Sequence, residues 1–151
     1  GIATGGQMAA CMAMGAAGVW CGSVWLTSPE AETIPTVKKK MLEANSRKTI
    51  RSRSRTGKPT RQLQSAWTDA WTSPNALKPL EMPLQGVLSR PAMDKIDTKA
   101  SAGHKGAVAL STYYVGQAVG LMNEEKSVKT IVYEFMEDYV KAVDRLSKTL
   151  K

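Results

Sequence analysis

The chain has 151 residues, of which 42% are apolar, and this share excludes a disordered tail. Its formal net charge of +8 keeps nucleic acids and anionic cofactors open as partners. With one histidine and no Cys-x-x-Cys spacing, the composition argues against zinc, and we expect no metal site. Cys11 and Cys21 lie in apolar runs, so we interpret them as buried free thiols of a cytoplasmic protein.

The uncharged stretch from residue 8 to residue 26 is long enough to be considered as a membrane span. Three glycines interrupt it, alanine dominates it rather than leucine, and neither flank is positively charged. We therefore predict a buried helix followed by a buried strand, and no membrane partner. No basic region precedes an apolar core, which argues against a secretory signal.

The first elements form one unit of a parallel α/β fold. A glycine-rich turn, Gly1 to Gly6, precedes a predicted helix that ends at Gly15. Gly18 to Cys21 is predicted as a short, fully buried parallel strand. Because a domain rarely begins inside such a turn, we expect the N-terminus to be a cut edge.

The remaining elements are predicted from periodicity and from breaker residues. A basic helix is expected at 35–44, and a weak alternating strand at 49–55. Four prolines make 72–91 an irregular excursion. A buried helix interrupted by glycines is expected at 104–122. Apolar residues spaced three and four apart predict an amphipathic helix at 128–146.

The positive charge is concentrated between Arg47 and Arg61, a run with no acidic residue. One interpretation is a solvated strand and loop, which we favour. The other is a phosphate-binding surface, which would make this a small basic nucleic-acid-binding protein. The run is short and has no interleaved aromatic residues for base stacking, so we expect no nucleic-acid partner.

Two glycine turns carry the strongest chemical signal. Gly1 to Gly6 precedes a helix, and Gly22-Ser23 follows the predicted strand. Glycine lets a backbone approach a phosphate closely, and exposed N–H groups at a helix start favour an anion. In a (β/α)₈ barrel the cofactor phosphate commonly sits at the last two such loops. From composition alone, ordinary tight turns of an α/β protein explain the pattern better.

Three motifs in order resemble the second half of the nitronate monooxygenase family, formerly called 2-nitropropane dioxygenase. The first runs from Gly1-Ile2-Ala3-Thr4-Gly5-Gly6 to Cys21-Gly22-Ser23. The second is Thr56-Gly57-Lys58-Pro59 with Arg61, and the third is Tyr114-Val115-Gly116-Gln117-Ala118-Val119-Gly120-Leu121. The resemblance spans nearly the whole chain.

This resemblance implies an α/β fold, namely the C-terminal portion of a (β/α)₈ TIM barrel with an additional, mostly helical C-terminal region. Residues 1–30 would be the last βα units of an FMN-binding barrel. Residues 31–103 would be a basic, proline-containing excursion after the barrel, and residues 104–151 would be helices that pack on it.

The resemblance also implies site residues and an activity. Gly1, Gly22 and Ser23 would hold the phosphate of FMN, with the backbone of Cys21 beside them, and Tyr114 and Gln117 would lie near the flavin ring or the substrate mouth. Family members use FMN and dioxygen to oxidise alkyl nitronates to a carbonyl compound and nitrite. A flavin-dependent enoyl reductase, which shares this barrel, is the alternative within the same fold.

One departure from the family concerns catalysis. The family's catalytic histidine lies in a Gly-Gly-His stretch that does not occur here, so no catalytic residue is assigned. His104 is interpreted instead as a surface or helix-capping residue. We predict that this chain alone binds flavin weakly or not at all. The sequence leaves the physiological nitronate and the oligomeric state open.

Overall fold

The computed structural model describes residues 1–149, so the last two residues of the predicted region 104–151 lie outside the described part. In chain order the helices are α1 (Gly5–Ala13), α2 (Pro35–Leu42), α3 (Ala66–Thr72), α4 (Leu84–Ser101), α5 (Lys105–Leu110) and α6 (Val128–Lys148). Two strands, β1 (Thr49–Ser52) and β2 (Thr60–Leu63), form an antiparallel pair. Short 3₁₀ helices cover Ser23–Trp25 and Gln117–Leu121.

Helix α1 begins and ends where its sequence indicates. Thr4 caps its start by accepting the N–H of Gln7 at 3.2 Å, while the Gln7 side chain accepts the N–H of Thr4 in return. After the helix, Gly15 adopts a φ of +98°, which is the left-handed conformation that glycine tolerates best. The predicted stop at Gly15 is confirmed.

Helix α6 packs against α1, and Gly5 sets how closely they approach. A Cβ atom at Gly5 would lie 2.0 Å from the carbonyl oxygen of Phe135, so only glycine fits there. Ile131 and Ala142 are buried on this side of α6. The amphipathic helix predicted at 128–146 is confirmed, although much of its apolar face stays exposed, including Val140 at 59%.

The apolar core lies between α2, β2 and the segment that follows α5. Met41 and Val119 are fully buried at its centre, since neither exposes any of its surface. Its members are Val37, Met41, Ala44, Leu63, Val115, Val119 and Met122. The helix predicted at 35–44 and the strand predicted at 49–55 are confirmed, with β1 shorter than expected.

A second interior region is polar. Seven of the described residues with hydroxyl or amide side chains expose 1% or less of their surface: Ser28, Ser54, Gln62, Thr68, Gln85, Ser111 and Thr112. Gln85, on α4, donates to the carbonyl oxygen of Ser54 at 2.7 Å and accepts the N–H of Leu80 at 2.9 Å. Such side chains satisfy loop backbone groups that would otherwise be buried without partners.

The predicted buried strand Gly18–Cys21 is wrong. This segment has no regular structure, and Trp20 is 96% exposed. A parallel strand needs neighbouring strands to pair with it, and within residues 1–149 the only strands described are β1 and β2, which pair with each other. Cys11 and Cys21 are half-buried rather than buried, and neither forms a disulfide.

Two further segments differ from their predictions. The expected helix 104–122 ends at Leu110, and the chain then runs extended to Gly116, with Tyr114 bridging to Gln62 of β2. The expected excursion 72–91 is irregular only to residue 83, because α4 begins at Leu84 and continues through Pro91. A proline usually breaks or kinks a helix, but α4 accommodates Pro91. Across the described residues, no helix combines the length and apolarity needed to cross a membrane.

Candidate functional site

The turn from Cys21 to Trp25 is closed by a hydrogen bond within itself. The indole Nε1 of Trp25 donates to the carbonyl oxygen of Cys21 at 2.8 Å, and Val24 is buried beneath the turn. Gly22 is exposed, and a Cβ atom there would meet nothing within 4 Å. Open space therefore lies over this backbone, which leaves room for a ligand to approach.

Ser23 connects two of the sequence motifs. Its Oγ accepts the N–H of Gly116 at 2.9 Å, although the two residues are 93 positions apart. A serine hydroxyl can accept and donate at once, so this bond leaves the Ser23 O–H free to donate to another acceptor. The Gly22-Ser23 turn and the segment that carries Tyr114 and Gln117 thus meet at a single polar contact.

The two glycine turns are also neighbours. Burial raises the pKa of the Cys21 thiol, and the nearby α-amino group of Gly1 offsets part of that rise. Ala3 and Val24 line one cavity, which brings the chain on either side of α1 together. Gly1, Cys21, Gly22 and Ser23 therefore occupy one region of the molecule.

Most N–H groups at the start of α1 already have acceptors, contrary to our expectation of free amides for an anion. The N–H of Gly6 donates to the carboxylate of Asp138 on α6 at 2.7 Å. The N–H groups of Ala3 and Gln7 have internal acceptors too, in the side chains of Gln7 and Thr4 respectively. Asp138 already supplies the negative charge that a helix N-terminus favours.

The cavity at this junction is acidic. It has a volume of about 430 Å³ and is lined by Glu124, Glu134 and Asp138 with a single base, Lys126. Lys126 contacts Glu134 at 2.9 Å and Glu124 at 3.3 Å, and the hydrogen bond to Glu134 is the main cause that raises its pKa. The excess of negative charge in this lining disfavours a phosphate there.

Neither Tyr114 nor Gln117 lines the acidic cavity. The Tyr114 ring is half-buried beneath the Arg55 guanidinium, 4.6 Å from its centroid, and Tyr113 packs edge-on against it. Gln117 is exposed at the start of its 3₁₀ helix. The structure thus brings Tyr114 and Gln117 to either side of the Gly116–Ser23 bond.

Two motif glycines have structural explanations. Gly57, in the connection between β1 and β2, has a φ of +82°, and a Cβ atom there would lie 2.4 Å from the carbonyl oxygen of Leu80. At Gly120 a Cβ atom would lie 2.7 Å from the backbone nitrogen of Ser46. Both positions need glycine for close backbone packing, whatever the ligand.

Three of the seven basic residues in the run make contacts within the chain. Arg53 pairs with Glu81 at 2.6 Å, Arg55 donates to the Thr112 carbonyl, and Arg61 donates to Thr49. The other four, Arg47, Lys48, Arg51 and Lys58, are exposed, so these contacts account for only part of the run.

His104 is the capping residue that we expected. Its Nδ1 accepts the N–H of Ala107 at 3.3 Å at the start of α5. No group of three or more histidine, cysteine or acidic side chains in residues 1–149 is arranged to hold a metal ion.

Sequence reasoning missed Asp138, Arg55 and Asp97. Asp138 looked like one more charge on the polar face of an amphipathic helix, and only its distance to Gly6 gives it a role. Arg55 looked like a member of a solvated run. Asp97 lay in a segment to which no element was assigned, and no sequence signal distinguishes it.

Comparisons with known proteins agree with these motifs. A family model described as nitronate monooxygenase matches residues 1–138. Rv1533 of Mycobacterium tuberculosis, a provisionally named monooxygenase, is 50% identical over 148 residues, which are 97% of this chain and 39% of that protein. The chain therefore spans about two fifths of the length of this relative.

Solved structures are similar over almost the whole chain. Nitroalkane oxidase of Streptomyces ansochromogenes is 26% identical with a TM-score of 0.78, over 96% of this chain and 39% of that one. FabK of Thermotoga maritima is 27% identical with a TM-score of 0.75, over 98% of this chain and 45% of that one.

Proposed function

Because the chain belongs to the nitronate monooxygenase family, we propose that it forms part of an FMN-dependent enzyme that oxidises alkyl nitronates with dioxygen to a carbonyl compound and nitrite. The hydrogen bond between Gly116 N–H and Ser23 Oγ is the observation that carries the proposal. It joins the turn that would hold the cofactor phosphate to the segment that would face the flavin ring or substrate. We propose, with it, that these residues belong to the C-terminal portion of a TIM barrel.

Gly22 and Ser23 are the residues best placed to hold the FMN phosphate. Their N–H groups have no internal acceptor among residues 1–149, and the Ser23 hydroxyl keeps its proton available for donation. Gly1 faces open space, and its amino group adds positive charge near Cys21. Hydrogen bonds to a charged phosphate are stronger than those to a neutral acceptor.

Tyr114 and Gln117 would position the ring end of the cofactor or the substrate. Arg55 fixes the Tyr114 ring by stacking on it, while Gln117 keeps its amide exposed for a hydrogen bond. The flavin supplies the electron-transfer chemistry, and the protein supplies position and electrostatics.

No residue of this chain is proposed as the catalytic base. The sequence lacks the family's Gly-Gly-His stretch, and the Nδ1 of His104 caps α5. We therefore expect the 151-residue chain alone to bind FMN weakly and to release no nitrite from an alkyl nitronate.

The proposal is tested by nuclear magnetic resonance titration of the chain with FMN and with riboflavin, which lacks the phosphate. We expect FMN to shift the amide signals of Gly22 and Ser23 and riboflavin to leave them unchanged. Ser23→Ala should weaken FMN binding about tenfold, the effect of losing one charge-assisted hydrogen bond. Ser101→Ala, which removes an exposed hydroxyl on α4, serves as the matched control.

The proposal is contradicted if FMN shifts other amides and leaves these two in place, or if riboflavin shifts them equally. Shifts confined to residues 47–61, and lost steeply as salt rises, would favour the nucleic-acid alternative. The enoyl reductase alternative is not favoured, because the family model and nitroalkane oxidase both point to nitronate oxidation. We also propose a cytoplasmic location, since neither cysteine forms a disulfide.

A further inference from the structure

A second cavity, of about 340 Å³, lies beside the 3₁₀ helix Ser23–Trp25. None of the residues proposed to bind FMN or the nitronate lines it. Ile34 and Val37 form an apolar wall, Trp25 and Tyr113 contribute aromatic rings, and Glu32 and Asp97 contribute carboxylates. Its volume is near the lower end of the range for small-molecule sites.

All the charged side chains that line this cavity are negative. Two carboxylates line the cavity and no lysine, arginine or histidine does, although the chain as a whole carries +8. The cavity therefore repels a nitronate or a phosphate, which separates it from the function proposed above. It attracts a cation instead.

The hydrogen-bonding capacity of the Asp97 carboxylate is not fully used. Its Oδ1 atom is buried and has no hydrogen-bond partner. Burial raises the pKa of this carboxyl, and the Arg55 charge offsets only part of the rise. A carboxylate that is half-removed from water and lacks a partner gains most from a cation that brings its own positive charge.

The nearby bases of the chain already have partners within it. Arg55 stacks on both tyrosine rings and donates to the Thr112 carbonyl. Lys38 donates to the Ser28 carbonyl, and Lys40 donates to the carbonyl of Ser111. None of them lines the cavity.

We propose that the cavity between Trp25, Tyr113 and Asp97 binds a small organic cation of the quaternary or alkylated ammonium class. Aromatic faces attract such a cation through their negative quadrupoles, and its alkyl groups match the wall formed by Ile34 and Val37. The carboxylates of Asp97 and Glu32 supply the opposite charge. A compact metal ion fits less well, because six of the nine lining residues are apolar or aromatic and cannot replace its water ligands.

The test is titration of the 151-residue chain with choline, followed through the indole N–H signals of its four tryptophans. Only Trp25 lines the cavity, so its signal should shift while those of Trp20, Trp67 and Trp71 stay in place. The neutral isostere 3,3-dimethyl-1-butanol has the same shape without the charge. We expect choline to bind at least about tenfold more tightly, since cation–π attraction and a carboxylate together exceed 1.4 kcal/mol.

Variants separate the site from a general surface effect. Asp97→Asn keeps the shape and removes the charge, and it should weaken choline binding at least about fivefold. Glu32→Gln, at an exposed position where unfolding is not expected, should weaken binding by a smaller factor. Glu43→Gln removes a surface charge on α2 outside the cavity and should change nothing. Equal binding of choline and its isostere, or unchanged binding in both Asp97→Asn and Glu32→Gln, overturns the proposal.

Discussion

The α1–α6 helix pair and the polar interior around α4 are stabilised by opposite means. The helix pair buries apolar side chains and brings backbones together at Gly5, where no side chain fits. The polar interior buries hydroxyl and amide groups that bond to loop carbonyls, with Gln85 as its best-connected member. A loop-rich region can therefore form a buried interior when polar side chains satisfy its backbone groups.

Among the substitutions that test this comparison, we expect the largest effect on stability at Gly5. Gly5→Ala places a Cβ atom against backbone atoms of Phe135 and Tyr139, which cannot move without separating the helices. We expect the free energy of unfolding to fall by about 3 kcal/mol, at the upper end of the usual overpacking cost.

The matched control is Gly6→Ala, next along α1. There a Cβ atom would lie 3.5 Å from Asp138 Oδ2, an ordinary contact. We expect this variant to be stabilised by up to about 1 kcal/mol, because alanine favours helix. Both free energies are measured by urea denaturation, and equal stability of the two variants would refute the close-approach role of Gly5.

A smaller effect is expected in the polar interior. Gln85→Met retains the approximate volume but leaves the Leu80 N–H and the Ser54 carbonyl without their partner. We expect a loss of about 2 kcal/mol, typical of buried groups left unsatisfied. Gln64→Met, at an exposed amide that contacts Asp69, should cost under about 0.5 kcal/mol. If both variants unfold at the same urea concentration, the polar interior contributes less than its burial indicates.

The smallest expected effect on the free energy of unfolding is that of Asp97→Asn, and it depends on pH. Burial raises the pKa of this carboxyl in the folded chain, so the folded state binds the proton more readily than the unfolded state. Stability from this group is therefore highest at low pH and falls as pH rises through the carboxyl range. Asp97→Asn removes that loss and should be more stable than the parent at neutral pH.

The difference between Asp97→Asn and the parent should vanish below the ordinary carboxyl range, where the aspartic acid is neutral in both states. Urea midpoints measured over a pH series give this difference directly. Asp69→Asn, at an exposed carboxylate on α3, should show no comparable trend. A constant gain at every pH would show that Asp97 acts through packing rather than charge.

The elements that the sequence predicted correctly depend on neighbours along the chain. Helix α6 follows from apolar residues spaced three and four apart, and the end of α1 follows from Gly15. The family resemblance likewise rests on short motifs in order. These features depend only on residues that are close together in the sequence, so they can be predicted without knowledge of long-range contacts.

Tertiary structure alone decided the rest. The segment after α5 runs extended because it meets β2, whereas the sequence predicted that the helix continues through it. Trp20 is exposed because within residues 1–149 no strand pairs with its segment. The contact of Ser23 with Gly116 spans 93 positions, and that of Gly6 with Asp138 spans 132. Composition and periodicity describe only near neighbours, whereas these contacts exist because the folded backbone brings distant residues together.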